Sequence, residues 1–265
     1  MQDRPINFRA HEVRAALAGT KTQHRTVLPI AKYAEYLAGY STAGKLHEYS
    51  PARLGLEFVS DRHGLWHPEQ NPSGRSAWYV PIPFFPGQRL WVREAFNLFQ
   101  YSQDGDEAWP VDQMPTADEF REANEEAYRF SQSFHYAATP DSEAWRGETR
   151  WRSPVVMPRW ASRLTLIVES VKIERLQDME GQHPSESDAI AEGVNSIHHG
   201  DGEYYYSAFR AEPHPENWID PTDAFKELWD GINAKRPGYA WADNPWVAAI
   251  TFRAIKANID SSEAV

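Results

Sequence analysis

The sequence predicts an α+β protein, a small mixed β-barrel flanked by short helices, and three observations carry that prediction. Candidate elements run in the order strand, helix, strand, strands, helix, helix, strand, with strands too few and too scattered for a doubly wound parallel sheet. Apolar residues alternate in the β-rich stretches and recur at i, i+3, i+4 and i+7 in the clearest helix. Long segments of weak periodicity, at about 28–85, 97–150 and 195–219, read as insertions into one domain covering 1–265.

Each element has its own local reason. Ile6 and Phe8 alternate with polar neighbours as a short strand, and His11 to Ala18 form a helix with Val13 and Leu17 four residues apart and Gly19 just past its end. A loop from Gly19 to Arg25 follows. Leu28 to Phe85 is rich in Gly, Pro, Ser and aromatics and carries the turn signals Asn71-Pro72 and Ser73-Gly74, so one or two hairpins are expected there. Pro86-Gly87-Gln88 is a turn into a strand from Arg89 to Phe96, with Leu90 and Val92 on one side and Trp91 on the other. Within the acidic insertion Thr116 and Glu119 make a capping box, and Phe120, Ala123, Ala127 and Phe130 stripe a helix to about Phe130. The rest of that insertion reads as loops with short strands.

Ser162 to Leu176 is rich in β-branched residues and reads as two consecutive strands or one long bent strand. Ser185 or Ser187 caps a short helix holding Ala189, Ile190 and Glu192 and stopping at Gly193. Asp220 as N-cap, Pro221 at the first helical position, and Phe225, Leu228, Trp229 and Ile232 define the clearest helix. Pro245 to Phe252 is the closing strand.

Composition narrows the chemistry. The absence of cysteine excludes disulfides, thiolate zinc sites and cysteine nucleophiles. No apolar run is long enough to span a bilayer and the start is too charged for a secretory signal, so a cytoplasmic protein without membrane contact is expected. A formal net charge of −11 opposes indiscriminate binding of polyanions. The acids concentrate between Tyr101 and Glu148, however, whereas Arg4, Arg9, Arg14, Lys21 and Arg25, and later Arg150, Arg152, Arg159, Arg163, Lys172 and Arg175, outnumber their acidic neighbours. His198-His199 beside Asp201 and Glu203 reads as a solvated loop, because adjacent histidines point different ways and no third ligand sits at helical spacing. Neither a metal nor a cofactor is expected.

Several separated pieces together resemble the ASCH family of the PUA-like superfamily, in its long phage- and prophage-encoded form. They are Arg4-Pro5-Ile6, Gly19-x-Lys21-Thr22-x-x-Arg25, Pro86 to Glu94, Met157 to Arg163, Arg175-Leu176-Gln177-Asp178, Ala189 to Gly193, the Phe225-to-Asn233 helix and Asn244 to Val247. The resemblance implies a pseudobarrel and a role in binding RNA or a modified nucleoside. Small relatives include an amidohydrolase acting on N4-acetylcytidine and a protein described as a ribonuclease. By motif position Lys21 matches the amidohydrolase lysine and Glu192 its glutamate, while the nucleophilic threonine falls on His24, a departure at the reacting group itself.

A hydroxyl nucleophile needs a base beside it, and a lysine next to a carboxylate is a base only if desolvation outweighs the anion. In place of the hydroxyl, His24 could activate water or accept a proton near neutral pH. The expected ligand cleft therefore lies between the G-x-K loop and the short helix, with Lys21, His24 and Glu192 as candidate catalytic groups. Thr22, Arg25, Trp91, Arg93, Arg159, Trp160 and Arg163 are candidate ligand contacts, the tryptophans by stacking on a base and the arginines on phosphates. The bland alternative for Lys21 and Glu192 is a solvent-side ion pair worth about 0–1 kcal/mol. A third reading has the acidic insertion engage a host protein by mimicking the charge of nucleic acid.

Overall fold

The computed structural model describes residues 3–28, 46–50, 53–56, 59–61, 64–66, 84–102, 107–125, 131–139, 150–179, 181 and 187–261. In chain order these give β1 (Arg4–Asn7), α1 (Ala10–Ala18), β2 (Gln23–Val27), β3 (Leu46–Ser50), β4 (Arg53–Leu56), β5 (Val59–Asp61), β6 (Gly64–Trp66), β7 (Arg89–Arg93) and β8 (Phe96–Tyr101). Then follow β9 (Ala108–Pro110), α2 (Ala117–Glu125), β10 (Ser131–Tyr136), β11 (Thr165–Arg175), α3 (Asp188–Ala191), β12 (Asn195–His198), β13 (Tyr204–Ser207), α4 (Pro221–Asn233) and β14 (Trp246–Ile255). The fold is mixed α+β with several sheets, and the described strands close no barrel. No helix among the described residues is long and apolar enough to cross a membrane. The chain divides into two compact units, one from Ala18–Gln88 and Ile167–Arg253 with Met1, the other from Gln2–Leu17, Arg89–Leu166 and Ala254–Val265.

In the first unit β2 runs antiparallel to β14, with Ala249 opposite Arg25 and Ile250 opposite His24, and β11 is the other neighbour of β14. β11 is one strand with a change of phase. Leu166 and Val168 are buried in one alternation and Val171 and Ile173 in the other, with Glu169 and Ser170 exposed between them, so the buried face switches at Glu169-Ser170. The core of this unit gathers Leu176, Ala189, Val194, Tyr206, Phe225, Leu228, Trp229 and Val247. Asp220 caps α4 by accepting from the Thr222 amide at 2.7 Å, and Pro221 opens the helix where its missing N–H costs nothing. Phe225, Leu228 and Trp229 are buried as their spacing predicts, whereas Ile232 near the helix end is 36 % exposed. Among the described residues of the 28–85 segment β3 pairs antiparallel with β4 and β5 with β6. The His198-His199 region forms a third, β12–β13, with Tyr206 bridged to Trp218.

In the second unit β1 lies parallel to β7, setting Ile6 beside Val92 and Asn7 beside Arg93. Leu90, Trp91 and Val92 are all buried, so β7 is covered on both faces rather than on one. The segment from 97 onward is more ordered than loops with short strands. β8 pairs antiparallel with both β9 and β10, and Phe96, Leu98 and Phe99 are buried. α2 begins at the expected capping box: Glu119 accepts from the Thr116 amide at 2.7 Å and the Thr116 hydroxyl accepts from the Glu119 amide at 3.2 Å. The helix places Phe120 against Phe134 and Trp160 and is described as far as Glu125; Ala127 and Phe130 lie outside the described residues.

Candidate functional site

Gly19, at φ 79°, ends α1 in the left-handed conformation that a side chain resists, and the chain turns there into the loop carrying Lys21. Backbone bonds then fix that loop. The Thr22 amide donates to the Ala191 carbonyl at 2.8 Å, and the Thr22 carbonyl accepts from the Phe252 amide at 2.8 Å. Loop, short helix and closing strand of the first unit are thus bonded directly to one another.

Lys21 is 1 % exposed, and its ammonium donates to the Glu192 carbonyl at 2.7 Å and to Glu192 Oε2 at 2.9 Å. Arg25, on β2, is also buried and reaches the other carboxylate oxygen: Nη1 lies 3.0 Å from Glu192 Oε1. The same guanidinium donates from Nε and Nη2 to Glu174 Oε1 at 3.1 and 2.7 Å, from Nη2 to Asp188 at 2.6 Å, and from Nη1 to Gln23 at 3.0 Å. Lys172 Nζ sits 2.8 Å from the second oxygen of Glu174, at the exposed rim. Cations and carboxylates alternate through the cluster, so each charge removed from water meets an opposite one at contact distance.

The electrostatics follow from that alternation. Burial alone pushes the Glu192 carboxyl up, but Lys21, Arg25 and His24 together with the Lys21 hydrogen bond outweigh it, and the group is held below the ordinary carboxylate range. Arg25 is raised, because the attraction of Glu192, Glu174 and Asp188 exceeds the desolvation that opposes its charge. Both therefore stay ionised at neutral pH. The Lys21–Glu192 pair is buried, which replaces the solvent-side reading and its small energy. Removing one partner from such a pair strands a charge in a dry interior, at about 3–5 kcal/mol.

The sequence-nominated residues have different surroundings. Lys21, Arg25 and Glu192 meet; His24 is half-buried and close enough to act on Glu192; Thr22 is exposed beside them. Arg25 is saturated by carboxylates, and a phosphate would have to displace them. Trp91, Arg93, Arg159, Trp160 and Arg163 belong to the second unit. Trp91 is 9 % exposed and acts as packing, so its ring face is not open for stacking on a base. Trp160 packs edge-on against Phe134 and tilted against Phe120. Arg159 is held by Asp260 and Asp3, with contacts from 2.5 to 3.1 Å. Arg163 grips Glu94 with two bonds at 2.8 and 3.0 Å and lies 4.2 Å from the Tyr136 ring centroid. Arg93 differs: its acceptors are neutral, Asn7 Oδ1 at 2.8 Å and the Val155 carbonyl at 3.2 Å.

Comparison with protein-family models, with curated proteins and with solved structures finds no match to this chain.

Sequence reasoning does not nominate Glu174, Asp188, Lys172 or Glu94 as site residues. Two had a signal. Asp188 precedes Glu192 by one helical turn, the spacing that puts two side chains on one face, and Lys172 and Glu174 share a face of β11 by strand alternation. Asp3 and Asp260, which hold Arg159, lie too far apart in sequence for any local pattern to join them. Among the described residues no group of histidines and carboxylates could hold a metal ion. His198 accepts from the Gly200 amide at 3.0 Å, and His199 lies 3.0 Å from the Asn217 amide nitrogen.

Proposed function

We propose that this chain is an ASCH-type, PUA-like protein of phage or prophage origin that works in the host cytoplasm and binds RNA or a modified nucleoside. The ligand lies against the loop–helix junction of the first unit, on the side where Thr22 and His24 are accessible. One observation carries the reading. Two cations and the Glu192 carboxylate are buried together where the G-x-K loop meets the short helix, an arrangement costly to a fold and useful to a site that must hold donors and acceptors rigidly. The same motif positions carry the resemblance to the family.

Binding fits the arrangement better than hydrolysis. The Lys21 ammonium donates to two oxygens of Glu192, which makes it a donor that fixes the carboxylate rather than an acceptor for a nucleophile's proton. Imidazole at position 24 also lacks the hydroxyl that acyl transfer to the protein would use. The matched residues therefore present a fixed recognition surface: an oriented carboxylate, a half-buried imidazole and an exposed threonine hydroxyl.

Melting curves recorded with a panel of nucleosides, including N4-acetylcytidine, and with short RNA oligonucleotides at rising salt test the reading. Polymer affinity should fall steeply with salt, and nucleoside affinity should hardly change. If no nucleoside shifts the melting temperature and no RNA binds at low salt, the proposal fails. Chromatography of N4-acetylcytidine after incubation with the protein should return it intact; release of cytidine, lost in Lys21→Ala and Glu192→Gln, would favour hydrolysis instead.

A further inference from the structure

Of the arginines that flank the β7 and Trp160 motifs, three are neutralised by carboxylates. Arg89 is bound to Asp3, Arg159 to Asp3 and Asp260, and Arg163 to Glu94. Arg93 stands apart. Its Nε donates to Asn7 and its Nη1 to the Val155 carbonyl, so among the described residues its positive charge is held in place without a carboxylate partner. A guanidinium has five N–H groups, and the outer Nη2 edge of this one makes no bond among the described residues. Its Cζ lies over the Trp91 ring at 5.6 Å from the centroid, a cation–π contact that further holds it in place.

The surroundings are built from several elements of the second unit. Asn7 is the register partner of Arg93, and the Phe8 amide donates to the Arg93 carbonyl at 2.9 Å, which brings the exposed Arg9 to the end of the same strand pair. On the other side a short turn, Pro154–Val156, is capped by Ser153 and leaves Val155 61 % and Val156 58 % exposed while aiming the Val155 carbonyl at Arg93. A pre-oriented cation thus stands next to two bare valines.

We propose that this surface holds one phosphodiester of a single-stranded RNA, with the phosphate on the Nη2 edge of Arg93 and the adjoining ribose or base against Val155 and Val156. The fork of a guanidinium matches phosphate oxygens in two-point geometry. A single strand turns base and sugar faces outward beside each phosphate, whereas a duplex stacks them away, so the neighbouring valines select the single strand. This rests on the nucleic-acid reading above and adds where the backbone is held.

The test is fluorescence anisotropy with a labelled single-stranded RNA over a range of salt, on the full chain and on Arg93→Gln, Arg93→Lys, Val155→Ser and Arg159→Gln, each checked by its melting temperature. Arg93→Gln should weaken binding about tenfold at low salt and flatten the slope of log affinity against log salt by about 0.7, the loss of one phosphate contact. Arg93→Lys should keep the slope and lose part of the affinity, because the charge stays and the fork goes. Val155→Ser should weaken binding at an unchanged slope. Arg159→Gln should leave the slope as it is, since that charge is already cancelled.

If the wild-type chain binds RNA and Arg93→Gln keeps its slope, this inference is wrong while the nucleic-acid reading stands. A nucleoside that shifts the melting temperature without any RNA binding likewise overturns the Arg93 site alone, and no binding of either kind overturns both. An acidic peptide that displaces the RNA at equal concentration would reassign the surface to protein and refute the proposal.

Discussion

Two charged clusters, one in each unit, are made of the same residue types and differ in what surrounds them. In the first unit Lys21, Arg25, Glu192 and Glu174 are between 1 % and 4 % exposed and each carboxylate oxygen faces a cation. In the second, Arg163 has 29 % of its side chain in solvent and grips Glu94, which is buried. The lesson is that burial and the number of partners, rather than the presence of a salt bridge, decide the charge state. Glu192 has several positive neighbours and is held below the ordinary carboxylate range, whereas Glu94 has one and burial pushes it up.

The most severe test of that contrast is Glu192→Ala. It leaves Lys21 and part of Arg25 facing a void in a dry interior, and should destabilise the protein by about 3–5 kcal/mol in urea denaturation. A loss under about 1 kcal/mol would mean that the cluster is hydrated in solution, and the distinction between the two regions would collapse. Arg163→Ala should cost less, about 1–3 kcal/mol, because Arg163 was partly solvated and the stranded Glu94 can take up a proton. Equal losses at the two sites would break the comparison in the other direction.

Acidity sharpens it, since the two carboxyls shift in opposite senses. Glu192 titrates below the ordinary 4.5 in the folded state, so its contribution is complete above that pH and is lost as pH falls through its folded value. Glu94 titrates above 4.5, so its contribution is complete below that pH and is lost as pH rises through its folded value. The stability advantage of the wild-type chain over Glu192→Gln should therefore shrink on acidification, and its advantage over Glu94→Gln should shrink on raising pH. Stability measured by urea denaturation at several pH values on both sides of 4.5 reads this directly, and two curves of the same sign would refute the assignment.

How far the sequence anticipates these regions depends on whether the determining contacts are local. α4 is legible because cap, proline and apolar spacing all lie within one stretch of chain, as is the capping box of α2. The pairing of Lys21 with Glu192 is anticipated by the family resemblance, but its burial and its extension through Arg25 to Glu174 and Asp188 are not, because those carboxylates come from β11 and α3, far along the chain. Trp91 is a stacking candidate in the sequence because it lies in a strand beside Arg89 and Arg93; parallel pairing with β1 and the covering of both faces of β7 are non-local facts that leave no trace in that stretch. The β8–β9–β10 sheet was masked by its acidic connections, although the buried Phe96, Leu98 and Phe99 carry the apolar content of a strand covered on both faces.

The smallest expected effect lies in a charged contact that is neither buried nor networked. At the start of α2, Thr116 and Glu119 exchange bonds on an exposed surface, and the stabilisation comes from satisfying two helix-end amides that would otherwise face water. Thr116→Ala should cost about 1 kcal/mol. Because Phe120 of the same helix packs against Phe134 and Trp160, the helix should stay docked, and the change should appear in hydrogen exchange of the first turn before it appears in the global transition. Loss of the whole three-stranded sheet on this substitution would show that the acidic region depends on its exposed cap as heavily as the first unit depends on its buried charges.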